Sequence, residues 1–175
     1  TRVVDIDLAS YFDTVNHDLL LDMLHEQISD KRVLRLIRAF LKSGVMVNGL
    51  VSESIKGTPQ GGNLSPLLSN IYLTRFDRML EERGHRFVRY ADDCNIYVKS
   101  KRASQRVMDS YKQYLEGKLK LKVNKSKSRT ASPLRSKFLG FSLYKMRSKT
   151  GIRPHEKSLR RFKARLRELT SRRQA

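Results

Sequence analysis

Arg86-Phe87-Val88-Arg89-Tyr90-Ala91-Asp92-Asp93-Cys94-Asn95-Ile96-Tyr97-Val98 is the stretch that decides the fold. Its flanks, 86–90 and 95–98, are short runs of β-branched and aromatic side chains, the types that suit a pleated surface. Between them lie two adjacent carboxylates, and Asp favours bends because it can bond nearby backbone N–H groups. The stretch therefore predicts a β-hairpin with Asp92 and Asp93 at its bend. A carboxylate pair held there is either a turn former or a ligand for a divalent cation, and the hairpin alone leaves both readings open.

Upstream, Thr1 to Leu8 alternates as a strand, with Val4, Ile6 and Leu8 on one face and Val3, Asp5 and Asp7 on the other. Two acids thus share one side. The chain starts inside this strand with no preceding turn or cap, which suggests a segment excised from something longer. Asn16 is placed as the N-cap of a helix through about Gln27, with Asp18 in its first turn. A second helix, 31–42, is expected to bury Val33, Leu34, Ile37, Phe40 and Leu41. Val45 to Ile55 alternates around Asn48-Gly49, a hairpin signal. The loop Lys56 to Asn63 then leads to Ser65-Pro66, expected as the cap and first position of a helix burying Leu67, Leu68, Ile71, Tyr72, Phe76 and Met79.

Beyond the Asp hairpin, the periodicity predicts a helix from about Ser104 to Leu119, a basic connection over 120–130 and a strand over 137–145. A basic helix follows from Glu156 to Ser171, with a Leu159, Phe162, Leu166, Leu169 stripe. This order predicts an α+β domain in which helices cover one face of a largely antiparallel sheet. A ferredoxin-like or split βαβ core is compatible, since it lays the first strand beside the Asp hairpin and brings Asp7 near Asp92.

The chain has 175 residues, 39% of them apolar, enough for one domain, or one plus the edge of another, with a core of its own. A lone Cys94 excludes an internal disulfide framework, and a single thiol without a Cys or His partner reads as a packed residue. With no signal peptide and no long apolar run, the chain reads as soluble and intracellular. The net charge of +20 sits entirely in the second part: residues 1–98 hold 12 Lys or Arg against 13 Asp or Glu, and residues 99–175 hold 25 against 4. Self-repulsion of that order points to a polyanionic partner, with nucleic acid ahead of phospholipid. Gly117, Pro133, Gly140, Gly151 and Pro154 break the basic part into several elements, which a single amphipathic membrane helix would not show.

Phosphoryl transfer between nucleotides uses two divalent ions about 3.5–4 Å apart. Hard ions such as Mg²⁺ take oxygen ligands and share them with substrate phosphates. Asp7 on a strand and Asp92 at a hairpin meet that requirement. The glycine-rich Gly57-Thr58-Pro59-Gln60-Gly61-Gly62 has the wrong order for a P-loop, which needs Lys and Ser or Thr after its last Gly. His17, His25 and the other two His are scattered, and none is assigned to metal.

Asp7 followed by Tyr11 and Phe12, the GTPQGG loop before a helix, and the YADD box together resemble the reverse transcriptases, in order and in spacing. DIDLASYFDTVNHDLL, GTPQGGNLSPLLSNIYL and VRYADD are most similar to the group II intron-encoded reverse transcriptase/maturase proteins, over nearly the whole chain. The resemblance implies an RNA-directed DNA polymerase palm over residues 1–147 and the start of a basic thumb or maturase helix over 148–175. It implies Asp7 and Asp92 as the main ligands of two Mg²⁺ ions, with Mn²⁺ an alternative, Asp93 as a supporting carboxylate and the Leu8 carbonyl as a backbone ligand. Asp5 shares the face of Asp7, but the aromatic spacing selects Asp7.

By the same resemblance Phe12 would crowd a 2′-hydroxyl, Gln60 would contact the incoming nucleotide or template, and Lys127 would neutralise or protonate departing pyrophosphate. Phe138-Leu139-Gly140 resembles the primer-grip strand, and Arg160, Arg161, Lys163, Arg165 and Arg167 would hold duplex phosphates. The implied partners are an RNA template, a DNA primer, deoxynucleoside triphosphates and intron RNA, in a bacterial cytoplasm or, as the alternative, an organelle. The family's fingers region would precede the first Asp box, and a full thumb, maturase region and often an endonuclease would follow. The chain is therefore expected to be a palm fragment, inactive alone and prone to self-association. Other readings are a non-catalytic RNA-binding maturase module, and a retron or CRISPR-associated reverse transcriptase.

Overall fold

The computed structural model describes residues 1–43, 45–47, 50–52, 55–59, 62–147 and 149–171. In chain order the first elements are β1 (Arg2–Ile6), α1 (Tyr11–Thr14), α2 (His17–His25), α3 (Lys31–Lys42), β2 (Val45–Val47) and β3 (Leu50–Ser52). Then come α4 (Ser65–Glu82), β4 (Arg86–Tyr90), β5 (Asp93–Val98), α5 (Lys101–Gly117) and β6 (Arg129–Ala131). A 3-10 turn at Pro133–Arg135, β7 (Phe141–Met146), β8 (Lys149–Pro154) and α6 (Glu156–Leu169) complete the chain.

The principal sheet has the order β4-β5-β1-β6, antiparallel throughout, so β1 does lie beside the Asp hairpin. Alternation sorts its two faces. Val4, Ile6 and Leu8 of the first strand region, with Cys94, Ile96 and Val98 of β5, enter one core with Leu68, Tyr72, Phe76 and Leu80 of α4 and Tyr111 and Leu115 of α5. Each such side chain removed from water contributes about 1.5–3 kcal/mol. The Phe76 and Tyr111 rings meet edge to face at 5.7 Å, and the buried Tyr72 hydroxyl donates to the Leu119 carbonyl at 2.6 Å. The chain is thus an α+β domain with helices packed on one face of an antiparallel sheet.

Capping decides where helices start. The side chains of Asn16, Asp30 and Ser100 accept from the backbone N–H groups of Leu19, Arg32 and Ala103. Ser100 therefore begins α5 at Lys101, earlier than the apolar periodicity predicts, because its first turn is charged. Ser65 is the first helical residue of α4 rather than its cap, since its hydroxyl donates back to the Pro59 carbonyl at 2.6 Å. The expected hairpin over 45–55 is present as β2 paired with β3, with its Asn48-Gly49 turn outside the described residues.

Several expectations about burial and strands are corrected. Val33 and Leu67 are exposed, and on α3 only Leu41 is fully buried, because this helix packs at the edge of the domain. The expected basic connection over 120–130 hides alternation: Leu119, Leu121 and Val123 are buried between exposed lysines, Leu8 bridges to Val123, and β6 then joins the edge of the sheet. The strand expected over 137–145 is interrupted. Leu139 (φ 49°) and Gly140 (φ 85°) form a tight turn, closed by Phe138 and Phe141 exchanging backbone bonds at 2.9 Å each. The strand proper starts at Phe141, and its partner β8 was not legible in the sequence because its residues are mostly polar or charged. This hairpin covers the sheet face opposite the helices, which explains why Val3 is buried there: a cavity of about 220 Å³ between them is lined by Val3, Val88, Tyr97, Phe138 and Phe141, among others.

Candidate active site

The ladder between β1 and β5 pairs Asp5 with Asn95 and Ile6 with Cys94, so the next step sets Asp7 opposite Asp93. Odd-numbered residues of β1 and β5 face away from the helices, which places Asp5, Asp7 and Asp93 on one surface. Tyr90 pairs with Asp93, leaving Ala91 and Asp92 as a two-residue turn. Ala91 carries φ 52°, a left-handed conformation.

The charges of these groups act on one another. Burial raises the carboxyl of Asp93 above the ordinary value of 3.8, the charges of Asp92 and Asp7 raise it further, and Lys137 and Lys127 oppose them. Burial also raises Asp5; Arg129, with Nε 3.6 Å from Asp5 Oδ2, pulls it back, while Asp93 and Asp7 add to the rise. Four carboxylates therefore share one electrostatic neighbourhood, rimmed by three cations on 127–137.

Asp7 is fixed by its backbone. Its N–H donates to Ser128 Oγ at 3.1 Å, and its carbonyl accepts from the Asn124 N–H at 2.9 Å. Of its side chain, Oδ2 lies 3.7 Å from Lys127 Nζ, whereas Oδ1 is buried and has no hydrogen-bond partner among the described residues. Lys127 is itself set by the Asn124 side chain, whose Oδ1 accepts from the N–H groups of Ser126 and Lys127. The bridge of Leu8 to Val123 uses the Asp7 carbonyl and the Ala9 N–H, which donates to Lys122, and leaves the Leu8 carbonyl out of that pairing.

A buried carboxylate oxygen with no donor is costly in apolar surroundings unless something pairs with it. Asp7 Oδ1, among further carboxylates, is a donor set that fits a hard divalent ion. Among the described residues no three carboxylate, imidazole or thiol groups converge closely enough to hold an ion by themselves. Mg²⁺ commonly keeps waters and takes substrate phosphate oxygens, so it does not require an all-protein cage.

Tyr11 and Phe12 separate in role. Tyr11 is in the core, its hydroxyl donating to the Ser69 carbonyl, and burial pushes its ionisation far upward. Phe12 is half-buried, and its carbonyl accepts from the Thr58 N–H at 2.6 Å. The glycine-rich loop thus docks on Phe12. Gly57, at φ +93°, permits this approach, since a Cβ there would stand 2.8 Å from the Phe12 carbonyl oxygen. His17 Nε2 lies 2.6 Å from the Gly57 carbonyl, and because a carbonyl only accepts, that nitrogen carries the proton. Gln60 lies outside the described residues.

Phe138 is half-buried beside the cavity under β7 and β8, and the Gly140 carbonyl accepts from the His155 N–H at 2.8 Å and from Ser158 Oγ at 3.0 Å, tying that turn to the start of α6. Arg160, Arg161, Lys163, Arg165 and Arg167 are all exposed, with Glu156 pairing to Arg160 and Glu168 to Arg165 within the helix. The Leu159, Phe162, Leu166, Leu169 stripe on the same helix is exposed as well. Sequence reasoning missed Arg89, Asp77, Ser128 and Arg129, whose importance arises from contacts across the fold and leaves no local signal.

Residues 1–143 match the family profile described as "Reverse transcriptase (RNA-dependent DNA polymerase)". Protein YkfC of Escherichia coli (strain K12) is 34% identical, over 85% of this chain and 48% of that protein. Group II intron-encoded protein LtrA of Lactococcus lactis subsp. cremoris is 29% identical, over 84% of this chain and 35% of that protein. The chain thus spans half or less of these relatives' lengths. Among solved structures, telomerase from Candida albicans superposes with a TM-score of 0.67 at 14% identity, over 97% of this chain and 34% of that one, a likeness of fold. With most of its length matched to one profile and a group II intron-encoded protein among its relatives, the chain belongs to the reverse transcriptase family.

Proposed function

We propose that this chain is the palm of an RNA-directed DNA polymerase encoded by a group II intron, adding deoxynucleotides to a primer 3′ end on an RNA template. The observation that carries the reading is Asp7: set opposite Asp93 across two strands, beside the Asp92 turn, with one buried carboxylate oxygen unpaired among the described residues. Asp7 and Asp92 would hold two Mg²⁺ ions, Mn²⁺ being able to substitute, with the Leu8 carbonyl as a backbone ligand and Asp93 in support. Bound there, the ions supply activation of the primer hydroxyl and charge neutralisation at the leaving phosphates.

The chain's own residues do the rest. The Phe12 ring bounds the sugar site and excludes a 2′-hydroxyl. Gln60, in the loop that docks on Phe12, contacts the nascent base pair. Lys127 Nζ, held beside Asp7, turns to the departing pyrophosphate and gives it a proton, as a general acid. Phe138 and Gly140 bear on the primer strand, while Arg160, Arg161, Lys163, Arg165 and Arg167 hold duplex phosphates, positioning without reading sequence. On this reading residues 1–147 are palm and 148–175 begin the thumb.

A role in splicing of intron RNA is supported by the basic second part of the chain and by the group II intron-encoded relative. Among the described residues no helix is long and apolar enough to cross a membrane, and a bacterial cytoplasm is the proposed location. The isolated segment is proposed to self-associate through the exposed α6 stripe. Primer extension on RNA by the full-length protein, with Asp92→Ala beside it, tests the enzyme reading: equal extension by both defeats it. Splicing that survives Asp92→Ala would leave an RNA-binding maturase role standing independently.

A further inference from the structure

Asp92 occupies the second position of a two-residue turn whose first residue, Ala91, is left-handed at φ 52°. A residue with a Cβ persists there only where its surroundings over-determine it. Arg89 supplies that constraint. Its Nη1 donates to the Ala91 carbonyl at 2.8 Å and to Asn70 Oδ1 at 2.9 Å, its Nε donates to Asp77 Oδ1 at 2.7 Å, and its Nη2 donates to Asp77 Oδ2. Asn70 and Asp77 are seven residues apart on α4, two turns along one face. The helix that follows the glycine-rich loop is therefore bonded, through one guanidinium, to the backbone of the turn that carries Asp92.

We infer that Arg89 is a positioning residue for Asp92, fixing through the Ala91 carbonyl where that carboxylate stands and tying its place to α4. The inference rests on the proposed active site. A planar fork that grips a carboxylate with two donors while reaching two further acceptors is particular to Arg, and an ammonium cannot reproduce it. The Arg89 and Asp77 side chains are 12% and 22% exposed, and a partly buried ion pair is weak evidence for stability as such. Its value here is geometric. Groups that orient a metal ligand typically cost about 10–100-fold in metal affinity or activity when altered.

The test compares the full-length protein with its Arg89→Lys, Asp77→Asn and Asp92→Ala variants. Mn²⁺ alone is titrated by electron paramagnetic resonance, and amide hydrogen exchange is followed along β4 and β5. Arg89→Lys is expected to weaken Mn²⁺ binding about tenfold and slow single-turnover extension by a similar factor. Exchange should quicken at Ala91, Asp92 and Asp93 while Cys94 to Val98 stay protected. Asp77→Asn should move the same readouts in the same direction, and it carries the test if Arg89→Lys does not fold. Unchanged Mn²⁺ affinity in a folded variant overturns the inference, and so does loss of protection along all of β5, which is the mark of a structural role. If Asp92→Ala binds Mn²⁺ and extends primers like the wild type, the proposed site is wrong. If Asp92→Ala loses both and the Arg89 and Asp77 variants keep both, only the positioning role fails.

Discussion

Lys127 Nζ stands 3.7 Å from Asp7 Oδ2, held there by a turn that Asn124 caps. The cation occupies one oxygen of the carboxylate whose other oxygen is buried and, among the described residues, unpaired. Replacing it has two opposite effects. Lys127→Ala removes a positive charge from the carboxylates, so Mn²⁺ alone binds more tightly. It also removes the proposed proton donor, a role that contributes typically 10²–10⁴-fold, so single-turnover extension slows by about 100-fold or more. Paramagnetic titration and rapid-quench extension on the same preparation check both signs.

The mutual repulsion of the carboxylates predicts a pH dependence with a definite sign. Asp93 has a carboxyl raised above 3.8 in the folded protein, first by burial and then by Asp92 and Asp7. The folded state therefore holds that proton more firmly than the unfolded chain, and this contribution to stability is lost as pH rises from the unfolded value through the folded one. At neutral pH the ionised cluster is a cost. Asp93→Asn should raise the melting temperature of the metal-free protein at pH 7, and the gain should shrink as the pH falls through the raised folded value and be gone below the ordinary 3.8. Added Mg²⁺ should raise the melting temperature of wild type more than that of Asp93→Asn. Scanning calorimetry across pH, with and without Mg²⁺, measures all of these.

The contact between Gly57 and Phe12 yields a third expectation. Gly57→Ala combines a φ of +93° with a Cβ 2.8 Å from the Phe12 carbonyl and 2.9 Å from Asp13 Cα. Strain of this kind costs about 1–3 kcal/mol, so the variant should melt lower. Because the displaced backbone carries Phe12, the same variant should incorporate ribonucleotides relatively more often. Phe12→Ala should lose that discrimination with a smaller change in melting temperature, since its ring is only half-buried. Competitive incorporation of deoxy- and ribonucleotides, read beside thermal melts, separates the two.

How much of this was legible before the fold was known depended on the range of each interaction. The Asp hairpin and the capped helices announce themselves through period, turn residues and caps, all of which act within a few residues. Asp7 and Asp93 are joined by strand register, which the alternation of β1 and β5 foreshadows. By contrast Leu119, Leu121 and Val123 alternate among Lys118, Lys120 and Lys122, and the charge disguises an extended segment that the core buries. Arg89 looks like one more basic residue until Asp77 and Asn70 are brought to it from α4. Leu139 reads as strand because nothing local marks the left-handed turn it shares with Gly140. On α6 the periodicity reports an amphipathic face and not what covers it, and the Leu159, Phe162, Leu166, Leu169 stripe stands exposed.

That helix also sets the last prediction. Arg161, Lys163 and Arg167 are exposed, and the described ion pairs of α6 involve Arg160 and Arg165. If the three contact duplex phosphates, each releases a condensed counterion on binding, and log K falls with log salt by about 0.9 per phosphate for B-form DNA. Changing all three to Ala should therefore lower the magnitude of the salt slope for a primed RNA template by about 2–3 in the full-length protein. Affinity should fall similarly for templates of unrelated sequence, because phosphate contacts carry no sequence information. The slope for a variant at three exposed cations elsewhere, Lys101→Ala with Arg102→Ala and Arg106→Ala, serves as the comparison. Fluorescence anisotropy over a range of salt concentrations gives both slopes, and equal slopes for the two variants would remove α6 from the duplex interface.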